Sequence, residues 1–500
     1  MNKMYVLDAE HMKNADDRTI TELGIDQEVL MERAALAVVR YIKQHEFKKV
    51  LCVCGIGNNG GDALAVARIL LMQGMKADVF LCGEPEKQKC SVRKQYDIFC
   101  KVGGRTVTTM NFSEYDMIID GIFGIGISRP IEGWYAEVIE AINRAKTCGS
   151  KVIAVDIPSG VCTDTGAVPG VAVCADETVA FAYYKPGHLL YPGAGYCGTV
   201  HVEEIGISHR FFYNEEEMNF FTLLRYAEVS LPKRKRDGNK GTFGRVLVIA
   251  GSASMYGACY LSALAALRTG SGLVEVYTHE SNRQTMQTML PEGIIHTCHP
   301  DDLQNEKLCK LMERCDCVII GPGLSTDDFA MQLVRFVFEN CTKTIVADAD
   351  ALNCIARSKD LLYNQKRFIH REVIITPHPG ELSKLTGMSV KALKEDYVAN
   401  VRKFAKEYGL IVVGKDAGTV VSDGENVYIN QTGNDGMATA GSGDVLSGII
   451  GALCAQKEPA FDAAWKGVFL HGKAGDAALG QSNQYSLLAG DIANALAQIL

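Results

Sequence analysis

An α/β fold, with a parallel sheet in each of two successive domains, is what the sequence predicts. Three observations predict it. Short apolar runs of strand length recur, KKVLCVC (48–54) and GRVLVIAGS (244–252) among them. Helical stretches fall between these runs, and strands alternating with helices imply a parallel sheet. Many of the runs end in a glycine loop or an aspartate, and ligands of such sheets sit beyond the carboxyl ends of the strands.

Residues 8–41 read as helical, with LMERAALAVVRYI (30–42) carrying apolar residues at spacings of three and four. The strand over 48–54 leads into GIGNNGGD (55–62), and a helix follows over 63–74, closed by Gly74. This loop is not G-x-G-x-x-G with a downstream ribose acid, so it is no dinucleotide fingerprint. Asn58 and Asn59 offer side-chain oxygens and amides beside backbone N–H groups, a loop able to hold a phosphate together with a hard cation. A plain tight turn is the alternative, since Asn and Gly tolerate positive φ.

Two further strand ends fit the same pattern. EYDMIIDGIFGIG (114–126) ends its strand at Asp120, and KVIAVDIPSG (151–160) ends at Asp156, followed by Pro158 and Ser159. Asp62, Asp120 and Asp156 are therefore expected to share one crevice, with helix or turn capping as the competing role. Over 177–206 further strands are joined by Gly/Pro turns. Lys185 and His188 flank one turn, and Lys185 reads there as a solvated lysine, with a place in the crevice wall as the less favoured alternative.

The domain boundary is expected within 208–240, giving domains over 1–215 and 241–500 with a linker over 216–240. The basic run Lys233, Arg234, Lys235, Arg236 in an acidic chain reads as exposed linker.

The second half repeats the strand-and-loop theme with different loops. A small-residue helix is expected over 258–268. CDCVIIGPGLS (315–325) and TIVADADAL (344–352) are strands, the latter ending at Asp348 and Asp350. EVIITPHPGELSKLTG (372–387) is a strand, a Pro-braced turn holding His378, and a helix with Glu381 in its first turn. His378 is either a hydrogen-bonded turn residue or part of a site. LIVVGKDAGTVVSD (410–423) sets Lys415 among small residues between two strands, which suits diphosphate binding: a point charge plus open backbone.

GNDGMATAGSGDVLSGIIGAL (433–453) is the most informative stretch. Val445, Leu446, Ile449, Ile450 and Leu453 mark a buried helix. A glycine-rich turn opening a helix bares N–H groups at the positive end of its dipole, an anion cradle. An aspartate at the mouth of that cradle would repel a phosphate. Asp444 makes sense if it takes a proton from a hydroxyl that attacks the phosphate. Helix N-capping is the alternative.

The chain has 500 residues, 47% hydrophobic residues and a net charge of −8. The length suits roughly two to four domains of about 100–200 residues. The charge argues against nucleic acid or an anionic membrane as main partner. The 17 cysteines lack C-x-x-C pairs, and Cys52/Cys54 and Cys315/Cys317 alternate as small core residues would. Reduced thiols in a cytoplasmic protein are expected. The N-terminus lacks a signal-peptide core, and no apolar stretch approaches the ~20 residues of a membrane helix.

GNNGGD, DGIFGIGISRP and VDIPSG, preceded by LMERA, resemble the NAD(P)H-hydrate epimerase domain. GPGLS, DADALN, TPHPGE, KDAGT and GMATAGSGDVLSG resemble the ADP-dependent NAD(P)H-hydrate dehydratase domain. Their order resembles the bifunctional NAD(P)H-hydrate repair family over nearly the whole chain. The resemblance implies an N-terminal Rossmann-like three-layer αβα domain followed by a ribokinase-like α/β domain. It implies repair of NADH or NADPH carrying an added water on the nicotinamide ring, as two C6 epimers (NADHX, NADPHX). The first domain would interconvert the epimers, and the second would dehydrate the S epimer while splitting ADP to AMP and phosphate.

By the family pattern Asn59, Asp120 and Ser159 would bind K+. Asn58, Asn59, Gly60, Gly61, Asp62, the loop of Gly124, Ile125, Gly126, Ile127, Ser128, Arg129 and Pro130, and Asp156 would hold the hydrate, with Asp156 as acid/base. Ala258, Gly323, His378 and Asp444 would line the second hydrate pocket. Lys415, Asp416, Ala417, Gly418, Thr419 and Gly443 would hold the adenine nucleotide, with Mg2+, and Asp444 would be the base. A homo-oligomer is expected. Asp416 departs from a common glycine and Asp435 from a common proline, and Asp416 would bring a carboxylate near the phosphates. A ribokinase-like small-molecule kinase with an accessory domain is the rival enzyme. A nucleotide-sensing module, in which the aspartates only cap, is the rival from another class.

Overall fold

The computed structural model describes residues 4–127, 129–208, 220–222, 229, 231–299, 305–364 and 371–500. The chain divides into two compact units, Met4–Phe220 and one built on Phe221–Leu500. Ser128 and most of 209–230, where the sequence puts the boundary, lie outside the described residues.

The first unit opens with helices Ala9–Thr21 and Gln27–Ile42. The single helical stretch expected over 8–41 is split at Gly24, whose φ is 71°. A left-handed glycine ends a helix because the chain there leaves the hydrogen-bonded path. The parallel strands are β1 (Lys49–Cys54), β2 (Lys76–Leu81), β3 (Arg105–Val107), β4 (Met117–Gly121), β5 (Lys151–Val155), β6 (Glu177–Phe181) and β7 (Thr199–Glu203). They lie in the order β3-β2-β1-β4-β5-β6-β7, each pair parallel. Their near-continuous apolar runs suit a sheet buried on both faces, and Cys52 and Cys54 are fully buried in β1. The order turns between β1 and β4. Loops leaving these strands part there and open a crevice.

The helix after β1 is longer than the sequence suggests. It runs Asn58–Met72 from an extended Gly57, so NNGGD forms its first turns rather than a loop before it.

The second unit holds β8 (Arg245–Ile249), β9 (Leu273–His279), β10 (Ile294–Cys298), β11 (Cys317–Ile320), β12 (Thr344–Ala347), β13 (Val373–Ile375), β14 (Ile411–Gly414), β15 (Val420–Ser422) and β16 (Val427–Ile429). Their order is β10-β9-β8-β11-β12-β13-β14-β15-β16. Pairing is parallel through β14 and antiparallel across the last two. The turn of order falls between β8 and β11, where Gly251 N–H donates to Pro322 O at 2.9 Å.

Helix Ser442–Ala455 packs on helix Tyr256–Arg268. Val445, Leu446, Ile449, Ile450 and Leu453 are all buried, as their spacing predicts. Burying each such side chain stabilises by about 1.5–3 kcal/mol relative to leaving it in water. At Gly448 a Cβ would stand 2.2 Å from Ser262 O, so only glycine lets the two backbones come this close. Among the described residues no helix is long and apolar enough to cross a membrane.

Candidate functional site

In the first unit a cavity of about 640 Å³ opens at the β1/β4 crevice. Asn58, Asn59, Asp62, Gly124, Ile125, Gly126, Ile127, Arg129 and Asp156 line it. Gly60 and Gly61 do not. A Cβ on Gly60 would stand 2.0 Å from Gly55 O and one on Gly61 would meet Met31, so both glycines serve close packing of the helix start. Pro130 is also off the lining.

Asp120 lies beneath the cavity floor, fully buried at the end of β4. Its Oδ1 accepts from Ser159 Oγ at 2.6 Å and Ile122 N–H at 3.2 Å, and its Oδ2 accepts from Ser159 N–H at 2.8 Å. Burial pushes its carboxyl up to about 6, and these donors pull the other way. Ser159 Oγ also lies 3.3 Å from Phe123 O, which accepts from Asn59 Nδ2 at 2.8 Å. Carboxylate, hydroxyl, carbonyl and side-chain amide thus converge from the end of β4, the loops after β4 and β5 and the first turn of helix Asn58–Met72, and their oxygens suit a hard cation. The three residues expected around that ion stand together. Asn58 Oδ1 is buried beside them without a hydrogen-bond partner, a polar atom left for a ligand.

Asp156 leaves β5 with φ of 64°, an uncommon conformation for a non-glycine residue. Its Oδ1 accepts from Lys185 Nζ at 2.5 Å and Phe181 N–H at 2.9 Å. Lys185 is fully buried. The solvated-lysine reading is therefore corrected: the turn after β6 folds under Asp156, and the ammonium compensates its charge. His188 Nδ1 accepts from Lys185 N–H at 3.1 Å, so its Nε2–H donates to Asp156 O at 2.8 Å. Burial first, then Lys185, lowers His188 to about 4 and keeps it neutral. Lys13, Asp16 and Lys89 reach the same cavity from flanking helices. No motif marks them, because helical side chains enter a site without a local signature.

In the second unit the capping reading of Asp444 does not hold. Gly441 is the N-cap, with φ of 91°, and Asp444 sits in the first turn behind it. Burial first, then Asp348, pushes its carboxyl up to about 7, and Lys415 opposes that rise. Lys415 Nζ pairs with Asp348 Oδ1 at 2.8 Å, and Asp348 is 1% exposed. Burial lowers Lys415, but Asp348 and Glu381 outweigh it and the net shift is upward. A Cβ on Gly443 would stand 3.1 Å from Lys415 Nζ. An ammonium thus faces the positive end of a helix, an arrangement that an anion between them would stabilise.

Glu381 Oε2 accepts from His378 N–H at 2.9 Å, and burial pushes it up to about 7. His378 Nδ1 accepts from Gly380 N–H at 3.0 Å, which leaves its Nε2 to donate. Asp416 does not simply oppose phosphates. Its Oδ2 lies 2.7 Å from Lys394 Nζ, and Thr419 Oγ1 donates to Asp416 O at 3.0 Å, closing the loop over Ala417 and Gly418. Asp435 is exposed in a short 3₁₀ turn, Asp435–Met437. Ala258 and Gly323 adjoin, with a Cβ on Gly323 3.0 Å from that of Ala258, beside a cavity of about 470 Å³ that includes Ser252, Ser325 and Asp350. Ser442 Oγ lies 3.2 Å from His471 Nε2, a pairing the sequence did not suggest because His471 lies on a separate helix, Ala460–Ala478.

Residues 246–498 match the family model described as NAD(P)H-hydrate dehydratase, and residues 27–187 match the one described as YjeF-related protein N-terminus. A bifunctional NAD(P)H-hydrate repair enzyme of Moorella thermoacetica is 37% identical over 522 residues, covering 99% of this chain and 97% of the relative. The Escherichia coli enzyme of the same description is 32% identical, covering 98% and 93%. A ribokinase-like superfamily protein of Enterococcus faecalis superposes with a TM-score of 0.50 at 28% identity, over 56% of this chain and 95% of that one.

Proposed function

The chain belongs to the bifunctional NAD(P)H-hydrate repair enzymes, and on that premise we propose how its two sites divide the work. The Met4–Phe220 unit interconverts the R and S hydrates of NADH and NADPH. The Phe221–Leu500 unit converts the S form to NAD(P)H and splits ADP to AMP and phosphate.

The observation that carries the second assignment is Asp444, whose carboxyl no hydrogen bond or ion pair reaches among the described residues and which burial raises to about 7 beside Lys415 and the bared N–H groups of its helix. Hydroxide leaves poorly and phosphate leaves well. Asp444 takes the proton of the C6 hydroxyl, whose oxygen attacks the terminal phosphorus of ADP and displaces AMP. The phosphorylated ring then loses phosphate from C6 and a proton from C5. Lys415, Gly443 and the loop from Asp416 to Thr419 hold the diphosphate, and Ala258, Gly323 and His378 line the hydrate pocket, with His378 Nε2 3.5 Å from Glu381 Oε1. Asp348 and Glu381 could share a divalent cation with that diphosphate, which would neutralise charge developing on its oxygens.

In the first unit Asn59, Asp120 and Ser159 would hold K+, which would supply a fixed positive charge to the site. Asn58, the 124–130 loop and Asp156 hold and act on the ring. The reduced cysteines and acidic charge support a cytoplasmic setting.

The test is chromatography of mixed hydrate epimers incubated with the full chain. With ADP, both epimers should be consumed as NAD(P)H and AMP appear, and without it they should only interconvert. Strict dependence on ATP with a stable phosphorylated product would favour a kinase instead.

A further inference from the structure

The first unit's cavity contains two carboxyl groups in contrasting states. Asp156 has a full complement of donors on Oδ1, including a buried ammonium. Asp62, in the opening turns of helix Asn58–Met72, lines the same cavity. Among the described residues no hydrogen bond or ion pair reaches its carboxyl. The charged groups around the pair are Lys13, Asp16 and Asp17 from helix Ala9–Thr21, Lys89 at the start of helix Cys90–Lys101 and Arg129 from the loop. Lys185 and neutral His188 stand behind Asp156. Burial first, then Asp156 and Asp16, raises the Asp62 carboxyl well above the carboxylate range. The carboxyl held by the ammonium is placed to accept a proton, and the raised one beside it, with no partner among the described residues, is placed to give one.

Resting on the epimerase reading above, we propose that Asp62 is the neutral proton donor of that site. It works with ionised Asp156 to open and reclose the hydrated ring at its C6–N1 bond. Asp156 takes the proton of the C6 hydroxyl, and the O–H electron pair becomes the C6=O double bond. The C6–N1 bond breaks, its electron pair moves to N1, and Asp62 gives N1 a proton. The open aldehyde turns about C5–C6. N1 then attacks the other face of the carbonyl, Asp62 recovers the proton from N1, and Asp156 returns its proton to the oxygen. Both groups end as they began, so the pair is ready for either epimer. Loss of water from C6 and its return to the opposite face would instead leave the two protons exchanged and require a separate reset through solvent.

The test uses the full chain carrying Asp62→Asn, followed by chromatography of the epimers without ADP. General acid–base catalysis contributes about 10²–10⁴-fold, and we expect a loss of that size in the rate of interconversion. ADP-dependent consumption of the S epimer should persist, which shows that the variant is folded. The native rate should fall at high pH as Asp62 ionises, and the variant should lack that limb. In heavy-oxygen water the native protein should interconvert epimers without exchanging the C6 oxygen. A fully active Asp62→Asn variant, or one solvent oxygen gained per turnover, overturns the proposal and leaves the epimerase reading standing. A native chain that interconverts nothing overturns both.

Discussion

Asp156 and Asp444 are two aspartates in comparable places, Asp156 just past the carboxyl end of β5 and Asp444 in the first turn of helix Ser442–Ala455. Their surroundings differ in one respect that sets their chemistry. Asp156 is clamped by a buried lysine and a backbone N–H, which hold it in one orientation. Among the described residues no hydrogen bond or ion pair reaches the Asp444 carboxyl. The nearest ammonium, Lys415, is engaged by Asp348, and burial leaves Asp444 poised at about 7. A clamped carboxylate suits a reaction that must run equally in both directions. A poised one suits a committed proton abstraction near neutral pH.

The largest expected effect comes from removing the poised group. Asp444→Asn should cut ADP-dependent dehydration by at least about 10²–10⁴-fold while epimer interconversion continues, as followed by NAD(P)H formation and epimer ratio. Removing the clamp comes next. Lys185→Met strands a buried carboxylate, and breaking a buried pair typically costs about 3–5 kcal/mol. Calorimetry should show a lowered unfolding transition, partly restored by adding Asp156→Asn.

A pH series sharpens the contrast. The kcat/KM of dehydration should climb with pH through about 7 and then level, because only ionised Asp444 accepts a proton. The same shift bears on stability. A carboxyl whose folded value lies above its unfolded value loses stability as pH rises from the ordinary 3.8 towards about 7. Thermal midpoints of Asp444→Asn should therefore overtake the native protein's across that window. The smallest effect belongs to Lys394→Ala. It frees the Asp416 carboxylate beside the nucleotide loop, and an exposed pair is worth about 0–1 kcal/mol, so KM for ADP should rise at most about fivefold and less in salt.

Strand ends and glycine loops were legible because they are local. The apolar runs mark β1, β4, β5, β8, β11, β12 and β14, and Asp120, Asp156 and Asp348 stand at the carboxyl ends of β4, β5 and β12. Element starts were less legible. Asn58–Met72 begins inside the glycine loop, since glycine at positions 60 and 61 is needed for packing as much as for a turn. Partners that arrive from distant elements were the least legible. Lys185 looked like a surface lysine because its burial depends on how the turn after β6 folds beneath β5. His471 meets Ser442 only because two helices lie together, and Lys394 meets Asp416 because helix Val390–Glu395 reaches the turn after β14.

The tight seam at Gly448 lies little more than one turn from Asp444. It anchors the proton acceptor to the floor of its domain like a post set in concrete, with no hinge between the two. Adaptation of this lineage to a bulkier guest must then come from the far wall, where the loops after β8 and β11 meet at Gly251 and Pro322. The acid itself has nowhere to retreat.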